Sequence, residues 1–115
     1  LKTAEGDYPT YKYLKEFLDK ELFLVAEDKN IVIGYIAGEI LNGSVVYLNC
    51  LVVNPMKRGK GIGTKLLTEF KRKIKNLKIS MVFFFVPKSN LDSIKFYRKN
   101  GFIKGKEYIF FTKNV

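Results

Sequence analysis

The 115-residue sequence contains no histidine, no tryptophan and a single cysteine. Without imidazole, neither a Ser-His-Asp nor a Cys-His relay can be assembled, and zinc sites built on histidine are excluded. Cys50 alone makes neither an internal disulfide nor a multi-thiolate centre, so no metal is expected. Long apolar runs are also missing. The stretches 31–37 and 80–86 stop far short of the ~20 residues needed to span a bilayer. No signal peptide is read at the start, and the expectation is a cytoplasmic protein without a membrane partner.

Acidic residues are scarce, 11 against 21 Lys and Arg, for a formal charge of +10. The imbalance is local. Residues 1–39 hold eight acids and five lysines, a net of −3, which leaves +13 on the remaining 76 residues. Residues 57–78 alone carry nine basic side chains and one acid, Glu69. Such a patch attracts phosphates, whether on a small ligand, a lipid or a nucleic acid, or it is simply a solvated lysine-rich face. With 47% hydrophobic and 15% aromatic residues the chain has material for a core. At this length folding buries roughly 65% of the unfolded surface, so one folded domain, 1–115, is expected rather than disorder.

Periodicity places the elements. Tyr11, Leu14, Phe17, Leu18 and Leu22 recur at helical spacing after a Thr10 N-cap. Phe23-Leu24-Val25-Ala26 and residues 31–40 then read as a hairpin around Glu27-Asp28-Lys29-Asn30, and Asn42-Gly43 turns into a third strand, 44–53. A glycine-rich loop follows. After Gly63, the positions Leu66, Leu67, Phe70, Ile74 and Leu77 mark an amphipathic helix. Residues 79–86 read as a strand buried on both faces, 90–100 as a short helix closed by Gly101, and 106–112 as a last strand. The class is α/β with a mixed sheet.

The chemistry concentrates in Val53-Asn54-Pro55-Met56-Lys57-Arg58-Gly59-Lys60-Gly61-Ile62-Gly63-Thr64. Three alternating glycines let backbone N–H groups converge, and the following helix N-terminus favours an anion. Together these describe a diphosphate site. It is not a P-loop, because Lys60 is followed by Gly61, nor a dinucleotide fingerprint, because Thr64 stands where a glycine is needed.

The segment Arg58-Gly59-Lys60-Gly61-Ile62-Gly63 resembles instead the pyrophosphate loop of the GNAT acyltransferases, Arg/Gln-x-x-Gly-x-Gly/Ala. Leu51-x-Val53-x-Pro55 is similar to that family's fourth strand. Asn90, Ser93, Tyr97, Gly101 and Phe102 fall in register with its Asn-x-x-Ala-x-x-x-Tyr-x-x-x-Gly-Phe pattern, with Ser93 in place of Ala. The resemblance spans about residues 23–112, with a shortened N-terminal part. It implies a mixed, mostly antiparallel sheet flanked by helices, with the fourth and fifth strands splayed into an acyl-CoA cleft. It also implies acetyl-CoA as co-substrate and a primary amine as acceptor: a polyamine-like amine, a peptide N-terminus or a lysine.

Carried over by position, the resemblance assigns the diphosphate to the N–H groups of Arg58, Gly59, Lys60, Gly61, Ile62, Gly63 and Thr64. The pantetheine arm falls to the main chain of Leu51, Val52 and Val53, and to Asn90. The Val53 N–H would polarise the thioester carbonyl, and Tyr97 would protonate the departing thiolate. No carboxylate stands in Tyr47-Leu48-Asn49-Cys50, where many members carry the base, so Glu39 is the candidate base, with a water relay past Asn49 and Tyr47 as the other route. Plainer readings stand beside these: Tyr97 as a packing aromatic, Asn90 as an N-cap, Glu39 as a strand-end surface charge and Cys50 as a small buried hydrophobe.

Two other functions use the same features, a non-catalytic CoA-binding module and a basic nucleic-acid-binding module. The second needs aromatics interleaved with the charges for base stacking, and residues 57–78 contain only Phe70, so nucleic acid is not the expected partner. The acidic Asp7, Glu16, Asp19 and Glu21 would favour a cationic acceptor. Tyr108-Ile109-Phe110-Phe111 offers an apolar edge for a homodimer.

Overall fold

The structure, a computed structural model, describes residues 22–115. The helix expected from Thr10 and the acidic side chains Asp7, Glu16, Asp19 and Glu21 lie outside the described residues. The described elements are strands β1 (Leu22–Asp28), β2 (Ile31–Leu41) and β3 (Val45–Val53), a 3₁₀ turn (Pro55–Lys57), helix α1 (Ile62–Asn76), strand β4 (Val82–Phe83) and helix α2 (Leu91–Lys99). The described residues divide into two compact units, the first ending at Phe84 and the second Phe85–Val115.

In the first unit the strands form one sheet in the order β1-β2-β3-β4. The first three are antiparallel neighbours and β4 runs parallel to β3, so the sheet is mixed and mostly antiparallel. Both hairpin turns are where the sequence puts them. Lys29 and Asn30 take φ of 52° and 66°, and Asn42 and Gly43 take 52° and 68°, the left-handed pairs that tight hairpins use. Leu22 belongs to β1, paired with Gly38 and 2% exposed, rather than to the preceding helical periodicity. An apolar residue next to a strand fits either period, and the ladder decides.

Helix α1 buries Leu66, Leu67, Phe70 and Ile74, four of the five expected positions, each worth about 2 kcal/mol of apolar burial. It begins at Ile62, two residues earlier than the expected start after Gly63, with Gly61 as N-cap and Gly63 already in the first turn. The helix sits on the face of β2 bared by Gly34 and Gly38. A Cβ on Gly38 would lie 2.6 Å from Phe70 Cζ and 2.9 Å from the Tyr47 carbonyl. Neighbouring buried side chains are Tyr35, Ile36, Ala37, Val46 and Leu48.

Two expected strands differ. Only Val82 and Phe83 of 79–86 form a ladder, and they are half-buried rather than covered on both faces, with Met81 and Phe85 exposed. One-sided pairing with β3 limits the strand to the two residues in register. In the second unit, 106–112 forms no strand, and Tyr108 through Phe111 are exposed, because an apolar run without a ladder partner has nothing to fix its backbone. Helix α2 follows expectation. Asn90 Oδ1 accepts from the Ser93 N–H at 3.2 Å, and Gly101 at φ 91° closes the other end. The Phe102 N–H donates to the Tyr97 carbonyl and the Gly101 N–H to that of Arg98, a Schellman closure. No helix among the described residues is long and apolar enough to cross a membrane.

Packing at Gly38 yields a test. Gly38→Ala drives a methyl group into a backbone carbonyl that cannot yield, and should destabilise the fold by about 2 kcal/mol in urea unfolding. Gly105→Ala, with nothing within 4 Å of the added Cβ, should stay within about 0.5 kcal/mol of the parent. Equal costs would contradict this account of α1 docking.

Candidate active site

The site is set by an irregularity in β3. In a ladder, a residue's N–H and C=O point to the same neighbouring strand, and the side alternates along the chain. The Val46 N–H donates to the Met81 carbonyl at 3.0 Å, so Val46 faces β4, and Leu48 follows it. Across β2, however, Ala37 pairs with Cys50 while Gly38 pairs with Leu48. Asn49 is an extra residue, a bulge, and it inverts the alternation. Beyond it, the Asn54 N–H donates to the Ile33 carbonyl at 2.7 Å, which assigns Cys50, Val52 and Asn54 to the β2 side. Leu51 and Val53 therefore direct their peptide groups to the edge away from β2. The ladder with β4 covers only Val46↔Val82 and Tyr47↔Phe83, well short of them.

The chain then folds back on itself. Asn54 Oδ1 accepts from the Met56 N–H at 2.9 Å, Pro55 starts the 3₁₀ turn, and the Lys57 N–H donates to the Asn54 carbonyl at 2.8 Å. Gly59 and Gly61 take φ of 79° and 80°, left-handed conformations in which a side chain would be strained. Gly61 caps α1 with no side-chain hydrogen bond. The first helical bond runs from the Lys65 N–H to the Gly61 carbonyl at 3.0 Å. The N–H groups of Ile62, Gly63 and Thr64 thus precede the intrahelical ladder at the positive end of the helix dipole, beside exposed Lys60 and Lys65. That end of the helix can take up an anion.

The two other basic side chains of the loop are engaged within the protein. Arg58 Nε donates to the Val53 carbonyl at 3.2 Å, and Lys57 Nζ meets Asp28 Oδ2 of the first hairpin at 3.5 Å. Neither bond is visible in the sequence, where both residues read only as charges of the basic patch at 57–78. Glu39, Tyr47 and Asn49 do come together. Glu39 is the register partner of Tyr47, and Asn49 Nδ2 donates to Glu39 Oε1 at 3.4 Å. Asn49 Oδ1 is a buried acceptor with no donor among the described residues. Because Gly38 faces α1, Glu39 falls on the opposite face of the sheet.

Cys50 is half-buried. Burial pushes its thiol up to about 11, against a smaller opposing hydrogen bond with the Ala37 backbone, so it is protonated at neutral pH and is no acyl nucleophile. In the second unit, Asn90 serves as the α2 N-cap. Tyr97 packs edge-on against Phe96 and Phe102, with ring centroids 5.2 and 5.6 Å apart. Among the described residues no group of three or more Cys, Asp or Glu could hold a metal ion.

The sequence matches the acetyltransferase (GNAT) family over residues 2–102, across both units. The chain belongs to that family. Solved structures agree on the GNAT fold. An aminoglycoside acetyltransferase, AAC(6')-Iy in complex with a CoA bisubstrate analogue, superposes with a TM-score of 0.77 at 22% identity, over 94% of this chain and 82% of that one. Ard1 from Thermoplasma volcanium gives 0.79 at 24%, over 90% and 72%. A putative streptothricin acetyltransferase from Bacillus anthracis, with acetyl-CoA bound, gives 0.74 at 24%, over 80% and 54%. No curated protein matches the sequence. Within the GNAT fold, the bulge of β3 and the loop onto α1 are the features this chain builds from Asn49 and residues 54–64.

The thiol supplies a direct check on the interior of β3. Alkylation of Cys50 by iodoacetamide in the folded protein should keep accelerating as pH rises past 9 and level only near 11. A plateau at pH 9 would place the thiol in water instead.

Proposed function

We propose that this chain transfers the acetyl group of acetyl-CoA directly to a primary amine, and that residues 1–115 act as one catalytic domain. The observation that carries the reading is the pairing of an anion-binding helix end with a strand whose peptide groups are turned outward by the Asn49 bulge. The backbone from Arg58 to Thr64 would take the diphosphate, and the outward groups of Leu51 and Val53, on the strand they share with Val52, would pair with the amide-bearing pantetheine arm. β3 and β4 would then part beyond Tyr47 to admit it.

In the reaction the acceptor nitrogen attacks the thioester carbon, the carbonyl oxygen gains negative charge, and the C–S bond breaks. The Val53 N–H would stabilise that oxygen, where a hydrogen bond strengthens as charge develops. An alkyl ammonium with a pKa of about 10 must first lose a proton, and Glu39, with Asn49 beside it, would receive it through water. Tyr97 would protonate the departing sulfur, the second proton that the nitrogen loses on amide formation would restore the phenol, and Asn90 would order the pantetheine. The acceptor class is a primary amine, such as a polyamine, an aminoglycoside, a peptide N-terminus or a lysine side chain. The aminoglycoside and streptothricin acetyltransferases among the neighbours support including amine antibiotics.

Calorimetric titration should show micromolar acetyl-CoA binding that weakens at least tenfold in Gly61→Val, whose β-branched side chain cannot hold φ 80° without strain. With any acceptor found by screening those amines, Tyr97→Phe should lower kcat roughly 100-fold at unchanged acetyl-CoA affinity. Absence of acetyl-CoA binding would refute the proposal, and an unchanged kcat in Tyr97→Phe would remove that residue from proton transfer.

A further inference from the structure

Arg58 carries a full charge at the mouth of an anion site, yet its Nε is spent on a strand carbonyl. The peptide between Val53 and Asn54 is thereby held from both sides. Its N–H donates to Ile33 on β2 at 2.7 Å, and its carbonyl accepts from Arg58 at 3.2 Å on the opposite edge. Two hydrogen bonds pointing in opposite directions fix a peptide plane against rotation. The neighbouring peptide, which carries the Val53 N–H, turns about the same Cα, so its direction is fixed as well.

The bond does a second thing. Val53 would otherwise present both a donor and an acceptor along the outward edge of β3. With one carbonyl lone pair taken up by Arg58, the edge at Val53 is weighted toward its N–H donor, which suits a developing oxyanion. The backbone places Arg58 for this. The 3₁₀ turn, closed by Asn54 and Pro55 carbonyls accepting from the Lys57 and Arg58 N–H groups, returns the chain to the strand end within five residues.

We infer that Arg58 is a positioning residue which orients the Val53 peptide through its Nε–H, and that its positive charge is not what the site requires. The inference rests on the reading of Val53 as the thioester's hydrogen-bond donor. It makes a chemical prediction that a phosphate-binding role does not. A glutamine bears its amide nitrogen on Cδ, the same bond count as Arg Nε, and is neutral. A lysine keeps the charge but has only a methylene at that place, and methionine has neither donor nor charge.

The test compares Arg58→Gln, Arg58→Lys and Arg58→Met in the full chain by two readouts. In the free protein, hydrogen exchange at the Asn54 amide should quicken about fivefold or more in Arg58→Lys and Arg58→Met and be rescued to the parent rate in Arg58→Gln. By calorimetry the acetyl-CoA Kd should rise five- to tenfold in the first two and stay within twofold in the glutamine variant. Retention by lysine with loss by glutamine would overturn the inference in favour of charge. Uniform behaviour of all three in both readouts would overturn it too. If neither the parent nor any variant binds acetyl-CoA, the acetyltransferase reading fails, while the exchange rates still decide whether Arg58 holds the peptide. Arg58 lies on the surface, away from the buried face of α1, so each variant is expected to fold.

Discussion

The arrangement depends on one inserted residue. Asn49 adds a peptide unit to β3 that β2 does not match, and every hydrogen-bonding group downstream changes sides. Had the strand been regular, the Val53 N–H and C=O would have been consumed by β2. The bulge spends them outward, past the end of the β4 ladder, where Arg58 takes up the carbonyl. A hydrophobic sheet is thereby made to present polar backbone at one place, without any charged side chain in the strand itself.

The loop and helix extend that logic. Asn54 and Pro55 stop the strand and start a turn, Gly59 and Gly61 supply the left-handed backbone, and α1 begins with its N–H groups unspent. Its buried face is anchored by Leu66 and Phe70 against the glycine-bared face of β2, so the N-terminal turn is tied to the sheet core. Lys57 on Asp28 ties the loop to the first hairpin as well. An exposed pair of this kind contributes at most about 1 kcal/mol, so its part is orientation more than stability.

Much of this was legible in the sequence, for local reasons. Asn42-Gly43, the period of α1, Asn90 as a cap and Gly101 as a terminator are each decided by neighbours a few residues away, and each stands as read. The glycine loop and the Tyr97-to-Phe102 spacing pointed to the family before any fold was known. Spacing could not show the bulge, since a two-versus-one pairing exists only between strands. A polar Asn49 inside an apolar run was its sole trace. The extent of β4 and the absence of a strand at 106–112 likewise depend on which edge a segment meets, not on its own composition. The Arg58 bond is hidden for a related reason: charge is visible in a sequence, and the carbonyl it meets is not.

The most direct test is the amide spectrum of ¹⁵N-labelled protein titrated with acetyl-CoA. The account predicts that the Val53 N–H, turned to the outward edge, shifts and exchanges more slowly on binding, together with Ile62, Gly63 and Thr64, while Val52, bonded to β2, barely responds. A response at Val52 with none at Val53 would mean that the alternation is not inverted at Asn49, and the proposed site would fall with it.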